Sequence, residues 1–320
     1  MRIFIAGATG ALGSRLLPVL VAAGHSVVGS THTAGRLPDI RKTGAEAVLA
    51  DGLDAQAIAR AVIEAEPDVI VHEMTALGGM SDLRHFDRTF ALSNRLRTEG
   101  VDHLLEAATK AGAKRFVAQS FCGWPYARRG DPVKTEDEPL DADPPRELRR
   151  SLEAIRYLET RVLQAPSLAG VVLRYGAFYG PGTGMLEETI IDQLRHRRFP
   201  LIGAGTGWWS LVHIDDAAAA TAIAVERGDA GIYNIVDDEP APVAEWLPVL
   251  ATAVGARPPR RIPKWLARPL AGSHLVTMMT DIRAGSNAKA KRILGWQLRH
   301  PSWREGFAAA LHAKANPLAV

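Results

Sequence analysis

Glycines stand at positions 7, 10 and 13, directly after a short apolar run, Ile3 to Ala6, and among Leu12, Leu16, Leu17 and Leu20 at helical spacing. A strand that ends in a G-x-x-G-x-x-G turn and opens a helix brings free backbone N–H groups and the positive end of a helix dipole to one point. With no Cβ in the way, the backbone can approach a pyrophosphate closely. Strand, loop, helix and a second strand, Ser26 to Ser30, follow in that order. The pattern therefore predicts a dinucleotide site built from Gly7, Thr9, Gly10, Ala11, Leu12 and Gly13.

The rest of the N-terminal half keeps the same rhythm. Short β-branched runs at Ala47 to Ala50, Val69 to Val71, Arg115 to Ala118 and Val171 to Arg174 alternate with amphipathic stretches, as in a parallel sheet wrapped by helices. Between Gly100 and Gly112, the residues Val101, Leu104, Leu105 and Ala108 share one helical face, which predicts a crossover helix. From Gly123 to Arg146 the pattern breaks into prolines and acids, a connection long enough to cover a site. After Gly180 come turn-rich sequence, a strand near Leu211 to Ile214, an alanine-rich helix after Asp215 and several short helices. The expected fold class is α/β: a Rossmann-like, doubly wound parallel sheet over residues 1–178, with return segments near 210–235. A smaller C-terminal substrate-binding lobe is expected over 179–320.

Composition narrows the partners. Net charge is only +3 and no basic tail is present, so nucleic acid is not an expected ligand. No apolar run approaches the ~20 residues of a membrane span, and the first hydrophobic run begins too early to leave room for a signal peptide, so a cytoplasmic location is expected. The single cysteine, Cys122, excludes an internal disulfide and a cysteine-based zinc site; no metal is expected. A small-molecule substrate is the expected partner, with homodimer formation left open.

The end of the second strand bears on cofactor choice, because a carboxylate there binds a ribose 2′-hydroxyl and repels a 2′-phosphate. Here the residues are Thr31 and His32, with Arg36 in the same loop, so NADP(H) is favoured over NAD(H). Asp51, Gly52 and Leu53 close the third strand, where an Asp can reach an adenine amino group. A helix-capping role for Asp54 next door is the alternative.

Together, Gly7–Gly13, the Asp51-Gly52-Leu53 turn, Arg115 to Ser120, Leu173-Arg174-Tyr175-Gly176, Tyr179-Gly180-Pro181-Gly182 and Val212-His213-Ile214-Asp215-Asp216 resemble the extended short-chain dehydrogenase/reductase family. That family includes the NAD(P)-dependent epimerases and dehydratases. The closing Leu294-Gly295-Trp296 and Ser302 to Phe307 extend the match nearly end to end. The resemblance implies a bound nicotinamide cofactor, with further contacts from Thr75, Ala76, Tyr175, Gly176 and Phe178, and a lobe that closes over the substrate.

The family pattern also requires a Tyr-x-x-x-Lys pair, in which the lysine lowers the phenol's pKa and the phenol moves a proton. This chain lacks it. It has 30 arginines and 8 lysines, no lysine lies between Lys134 and Lys264, and no tyrosine is followed by lysine at the fourth position. Alignment through Glu159 places Ser151 at the tyrosine position and Ile155 at the lysine position. Tyr157 and Arg161 are also four apart, but Tyr157 lies 200° around the helix from Ile155, so it should face away. Two replacement catalytic groups are expected: Ser120, at the strand end where the family's hydroxyl polarises a substrate, and Tyr126, in a loop free to swing over it. Cys122 is read as a small apolar wall.

The arginine with which sugar-nucleotide enzymes of the family grip a diphosphate is missing too: Trp208, Trp209 and Ser210 fill that stretch. Two indoles, with Phe121, Trp124, Phe178 and Met185, suit an apolar or aromatic substrate, and Tyr179 and His213 are placed beside it. The expected activity is an NADP(H)-dependent oxidoreductase acting on a small apolar carbonyl or alcohol with a non-standard catalytic set. A non-sugar isomerase, dehydratase or cyclase is one alternative, and a non-catalytic NADP(H) sensor is another.

Overall fold

The structure, a computed structural model, describes residues 1–76 and 86–315. Seven strands form one sheet: Arg2–Ala6, Ser26–Thr31, Glu46–Leu49, Val69–His72, Arg115–Phe121, Ala169–Tyr175 and Gly231–Ile235. Numbered along the chain, they lie in the spatial order 7-6-5-4-1-2-3, and every pairing is parallel. Strand order reverses between the first and fourth strands, where Ala6 pairs with His72. Ligands of doubly wound sheets bind outside the strand ends at such a switch point.

Parallel strands must be covered on both faces, and the side-chain alternation shows how this is done. Ile3 and Ile5, Val69 and Val71, Val117, and Val171 and Leu173 share one core with the helices Gly13–Ala22 and Ile214–Glu226. Phe4 and Ala6, Ile70, Phe116 and Ala118, and Val172 point the other way, into a core with the helices Ala55–Ala65, Val101–Ala111 and Arg149–Leu163. The expected crossover stripe of Val101, Leu104, Leu105 and Ala108 is buried in that second core. A third core, including Tyr179, Leu186, Trp246, Trp303 and Phe307, belongs to the C-terminal half. Ala290, Leu294 and Trp296 instead join the first sheet-face core, so residues near 290–296 return to the nucleotide-binding side.

Three strands, a helix and the long loop are tied by one buried network. Arg174 is bidentate on Glu159, with Nε to Oε1 at 2.8 Å and Nη2 to Oε2 at 2.6 Å. Ser120 Oγ donates to Glu159 Oε1 at 2.7 Å, and Arg174 Nη1 donates to the Tyr126 hydroxyl at 3.0 Å. That hydroxyl donates in turn to Asn234 Oδ1 at 2.8 Å. The loop after the fifth strand is held from the other side by Val133–Lys134, which pairs with Ala284–Gly285. Removing one member of such a pair strands a buried charge, at a cost of about 3–5 kcal/mol. Glu159→Leu should therefore lower the unfolding free energy by about that amount in a urea titration, well beyond the change from Glu99→Leu, which breaks the exposed Arg95–Glu99 pair.

Candidate functional site

The glycine loop is close-packed against the switch point. Gly7 has φ of +90°, and a Cβ there would lie 2.7 Å from the Glu73 carbonyl carbon. A Cβ on Gly13 would lie 2.4 Å from the Gly7 carbonyl oxygen. These are glycines of necessity: the loop folds onto the start of its helix only without side chains. Gly10 N–H donates to the Gly7 carbonyl and the Gly10 carbonyl accepts from Ser14. The N–H groups of Ala11, Leu12 and Gly13 donate to no acceptor among the described residues, leaving unpartnered donors at the helix start. A dinucleotide pyrophosphate fits this cradle.

Around it, Thr9 and Thr31 share a hydrogen bond of 3.0 Å between their hydroxyls, and Arg36 Nη2 donates to the Thr9 carbonyl at 3.4 Å while Nε pairs with Asp39 at 2.7 Å. His32 is exposed beside them. Asp51 accepts from Leu53 N–H, and Asp54 caps the helix Ala55–Ala65. Gly52 packs so closely on Met74 that a Cβ would meet its sulfur at 2.3 Å. Thr75 and Ala76 follow the fourth strand, and Ala76 N–H donates to Ser93 Oγ.

Tyr175, at the end of the sixth strand, and Gly176 and Phe178 just after it make contacts within the protein. The Tyr175 hydroxyl is buried against Glu73 and Thr221 at 3.2 and 2.7 Å. Gly176 N–H donates to the Ile235 carbonyl, and a Cβ there would meet the Ser210 carbonyl oxygen at 2.7 Å. The Phe178 ring packs on Tyr175, 5.4 Å between centroids. The motif they form is an internal joint between the sixth strand and the strand Leu211–His213.

A cavity of about 180 Å³ opens beside the ends of the fifth and sixth strands. Phe121, Cys122, Gly123 and Trp124 line it from the strand end, Trp209, Ser210 and Ala177 from the opposite wall, and Phe86, Phe90, Arg97, Met278 and Ile282 complete it. An engineered cavity of roughly 150 Å³ holds benzene, so this one accommodates an aromatic ring with a few further atoms. Burial pushes the Cys122 thiol up to about 12, which makes it the neutral wall the sequence suggested.

Four of the expected substrate-side residues therefore meet here: Phe121, Cys122, Trp124 and Trp209. The others do not. Trp208 pairs with Pro242 and does not line the cavity, and Met185 packs onto the C-terminal core. Tyr179 is fully buried against Phe307 and His213. His213 accepts from Asp215 N–H at the start of the helix Ile214–Glu226 and stacks on His300 at 3.8 Å. Burial, with the neighbouring His300, holds its pKa down to about 4.

Both expected catalytic hydroxyls are also redirected. Side chains alternate along a strand, and the cavity takes Phe121; its neighbour Ser120 faces Glu159. Tyr126 is fully buried between Arg174 and Asn234, where burial pushes its phenol further up, so it has no freedom to swing. Ser151, at the tyrosine position of the family pattern, is fully buried, donates to Asp87 Oδ1 at 2.7 Å and accepts from Asn94 Nδ2 at 3.0 Å. Ile155, at the lysine position, sits in an apolar cluster with Phe86, Trp124 and Ile282. Tyr157 and Arg161 form a surface group on Asp102.

Arg97 was missed. The stripe of Val101, Leu104, Leu105 and Ala108, extended one turn upstream, reaches it, and an arginine on a buried stripe is the signal that could have found it. The turn it occupies, Leu96–Gly100, is anchored at the switch point through His72 Nε2 and the Leu96 carbonyl at 3.1 Å.

Glu73, under the glycine loop, is pushed up to about 8 by burial, despite the Tyr175 hydroxyl donating to it. Above the ordinary carboxylate pKa the unfolded chain has lost this proton while the folded chain keeps it, so its contribution to stability falls as pH rises towards 8. Chemical denaturation of wild type and Glu73→Gln at pH 5 and pH 8 should show the variant gaining stability relative to wild type at the higher pH. A pH-independent difference would contradict a neutral Glu73.

With this geometry established, comparison with known proteins identifies the lineage. The sequence model of the NAD dependent epimerase/dehydratase family matches residues 3–236. Over 310 residues the chain is 43% identical to the 3-diazoavenalumate denitrifying reductase of a Streptomyces species, covering 96% of this chain and 99% of that protein. The crystal structure of UDP-glucose 4-epimerase from Thermus thermophilus with NAD matches with a TM-score of 0.76 at 23% identity, over 100% of both chains. A human epimerase family protein with NADPH matches at 0.77 and 22% identity, over 99% of this chain and 100% of that one. The chain belongs to the NAD dependent epimerase/dehydratase family, as an enzyme with the extended short-chain dehydrogenase/reductase fold and a nicotinamide cofactor site.

Proposed function

We propose that the protein is an NADP(H)-dependent reductase of a small aromatic or conjugated substrate, acting at a centre whose reduction creates no oxyanion in need of a tyrosine proton. The observation that carries this reading is the replacement of the proton-transfer pair inside an otherwise intact site. Ser151 is locked between Asp87 and Asn94, Ile155 lies in an apolar cluster, and Ser120 and Tyr126 are committed to the Glu159–Arg174 network.

When bound, the reduced nicotinamide supplies a hydride, one proton with two electrons. The chain's own residues Phe121, Trp124 and Trp209 then hold a flat substrate and exclude water. Reduction of a carbonyl leaves an alkoxide that needs an acid. Reductive loss of dinitrogen from an arenediazonium ion does not: the hydride's electron pair forms the C–H bond, the C–N bond breaks with its pair leaving in dinitrogen, and the hydride charge cancels the diazonium charge. The Streptomyces relative is named for a denitrifying reduction of a diazo compound, and the commitment of the nearby hydroxyls elsewhere suits the same class.

For the cofactor, Arg36 is half exposed and its guanidinium reaches the glycine loop, while the end of the second strand carries Thr31 in place of a carboxylate. A 2′-phosphate would meet the guanidinium of Arg36, whose Nε is held by Asp39, at a strand end that itself carries no carboxylate.

Two measurements test the reading. Arg36→Ala should weaken NADPH binding about tenfold, the scale of one charge-assisted contact, and leave NADH binding within about twofold; an unchanged NADPH to NADH ratio would refute the cofactor assignment. Purified protein with NADPH, offered arenediazonium compounds and matched aryl ketones, should oxidise NADPH and release dinitrogen with the former. Turnover confined to the ketones would overturn the proposed chemistry, and no turnover with any of them would favour a sensor.

A further inference from the structure

Two buried arginines stand near the strand ends, and they are treated very differently. Arg174 has a bidentate carboxylate partner in Glu159. Arg97 is only 6% exposed, yet its hydrogen bond among the described residues runs from Nη1 to the neutral Asn94 Oδ1 at 3.2 Å, and Nε has no partner there. No carboxylate among the described residues lies within ion-pairing distance of it. Burial alone pulls its pKa down, to about 10, which leaves it a cation at neutral pH. A charge taken out of water without a counter-ion costs several kcal/mol, so a buried cation of this kind calls for a partner such as a bound ion, water or ligand.

Asn94 holds the guanidinium through that hydrogen bond. Its Oδ1 accepts from Arg97 while its Nδ2 donates to Ser151 Oγ, which is itself held by Asp87. Arg97 is also one of the residues that line the cavity formed with Phe86, Phe121, Trp124 and Trp209. The other polar wall group, Ser210 Oγ, is already occupied on both sides by Gly285. The cavity thus offers one planar cation against aromatic surface. That matches a monoanion with two coplanar oxygens; a phosphate, with more oxygens and up to two charges, would find too few donors.

We propose that Arg97 is the substrate anchor, binding the carboxylate of an aromatic or conjugated acid whose ring lies between Phe121, Trp124 and Trp209. This rests on the cavity being the substrate site of the reductase described above. It adds a specificity determinant: the true substrate is an acid, and its neutral amide or ester is a poor one.

The test uses the full-length protein saturated with NADPH, with trans-cinnamate and trans-cinnamamide as probes followed by quenching of the tryptophans that line the cavity. Wild type should bind the acid at least about tenfold more tightly than the amide, and Arg97→Met should lose that preference while binding the amide within about twofold of wild type. Retained amide binding shows that the cavity is intact in the variant. Equal affinity of wild type for the two probes would overturn the proposal without any variant, as would an Arg97→Met protein that still prefers the acid or that loses NADPH affinity instead. If acid preference depends on Arg97 but no diazo compound or ketone is reduced, the anchor stands and the reductase reading alone falls. If neither probe binds wild type, the cavity is not the substrate site and both fail.

Discussion

The bidentate contact between Arg174 and Glu159 governs what the rest of the site can be. Both ions are nearly fully buried, so each must be satisfied in every hydrogen-bonding direction, and the neighbours that satisfy them are the hydroxyls of Ser120 and Tyr126. Those are the two groups that a search for a proton donor would select first. The pair also sits where the fifth, sixth and seventh strands, the helix Arg149–Leu163 and the long loop converge, since Tyr126 passes the network on to Asn234. Stability and the loss of these hydroxyls to chemistry are one fact: a donor engaged in a low-dielectric network cannot leave it without stranding a charge.

What remains for ligands is divided between two regions of different character. At the glycine loop, free N–H groups, the helix dipole and Arg36 make a site for anions without any apolar demand. At the ends of the fifth and sixth strands the surroundings are aromatic, with the Arg97 cation at the edge. The turn Leu96–Gly100 links them, since the Leu96 carbonyl is fixed by His72 at the switch point and the next residue is Arg97. A substrate held at Arg97 is thereby placed relative to the crevice in which the cofactor lies.

Backbone requirements were legible in the sequence because they are local. Gly7, Gly10 and Gly13 announce a tight strand-to-helix turn, and the apolar runs announce buried parallel strands; the structure has both, with the strands at Ala169–Tyr175 and Arg115–Phe121 somewhat longer than periodicity alone indicated. Side-chain destinations were less legible. Ser120 and Phe121 are neighbours in sequence, and which one faces the cavity depends on a strand register that period-two alternation leaves undecided. Tyr179 and His213 belong to motifs whose residues looked chemical, but burial under Phe307 and beside His300 turns them into packing and capping groups. Arg97 was hidden for the opposite reason: among 30 arginines its identity carries no signal, and only its place on an apolar stripe distinguishes it.

The substitutions at Ser151 and Ile155 reach beyond the two side chains. A tyrosine at 151 would have to displace a fully buried serine that receives Asn94 and caps onto Asp87, and with it the Asn94 brace on Arg97. A lysine at 155 would enter an apolar cluster of Phe86, Trp124, Leu152 and Ile282, where desolvation would drive the ammonium towards its neutral form and cancel the charge that makes the family's lysine useful. Reinstating the pair would thus cost both the apolar wall and the positioning of the buried cation that borders it. The family's usual acid–base machinery and an Arg97-centred aromatic pocket are alternative uses of the same volume, and this chain has packed its core around the second.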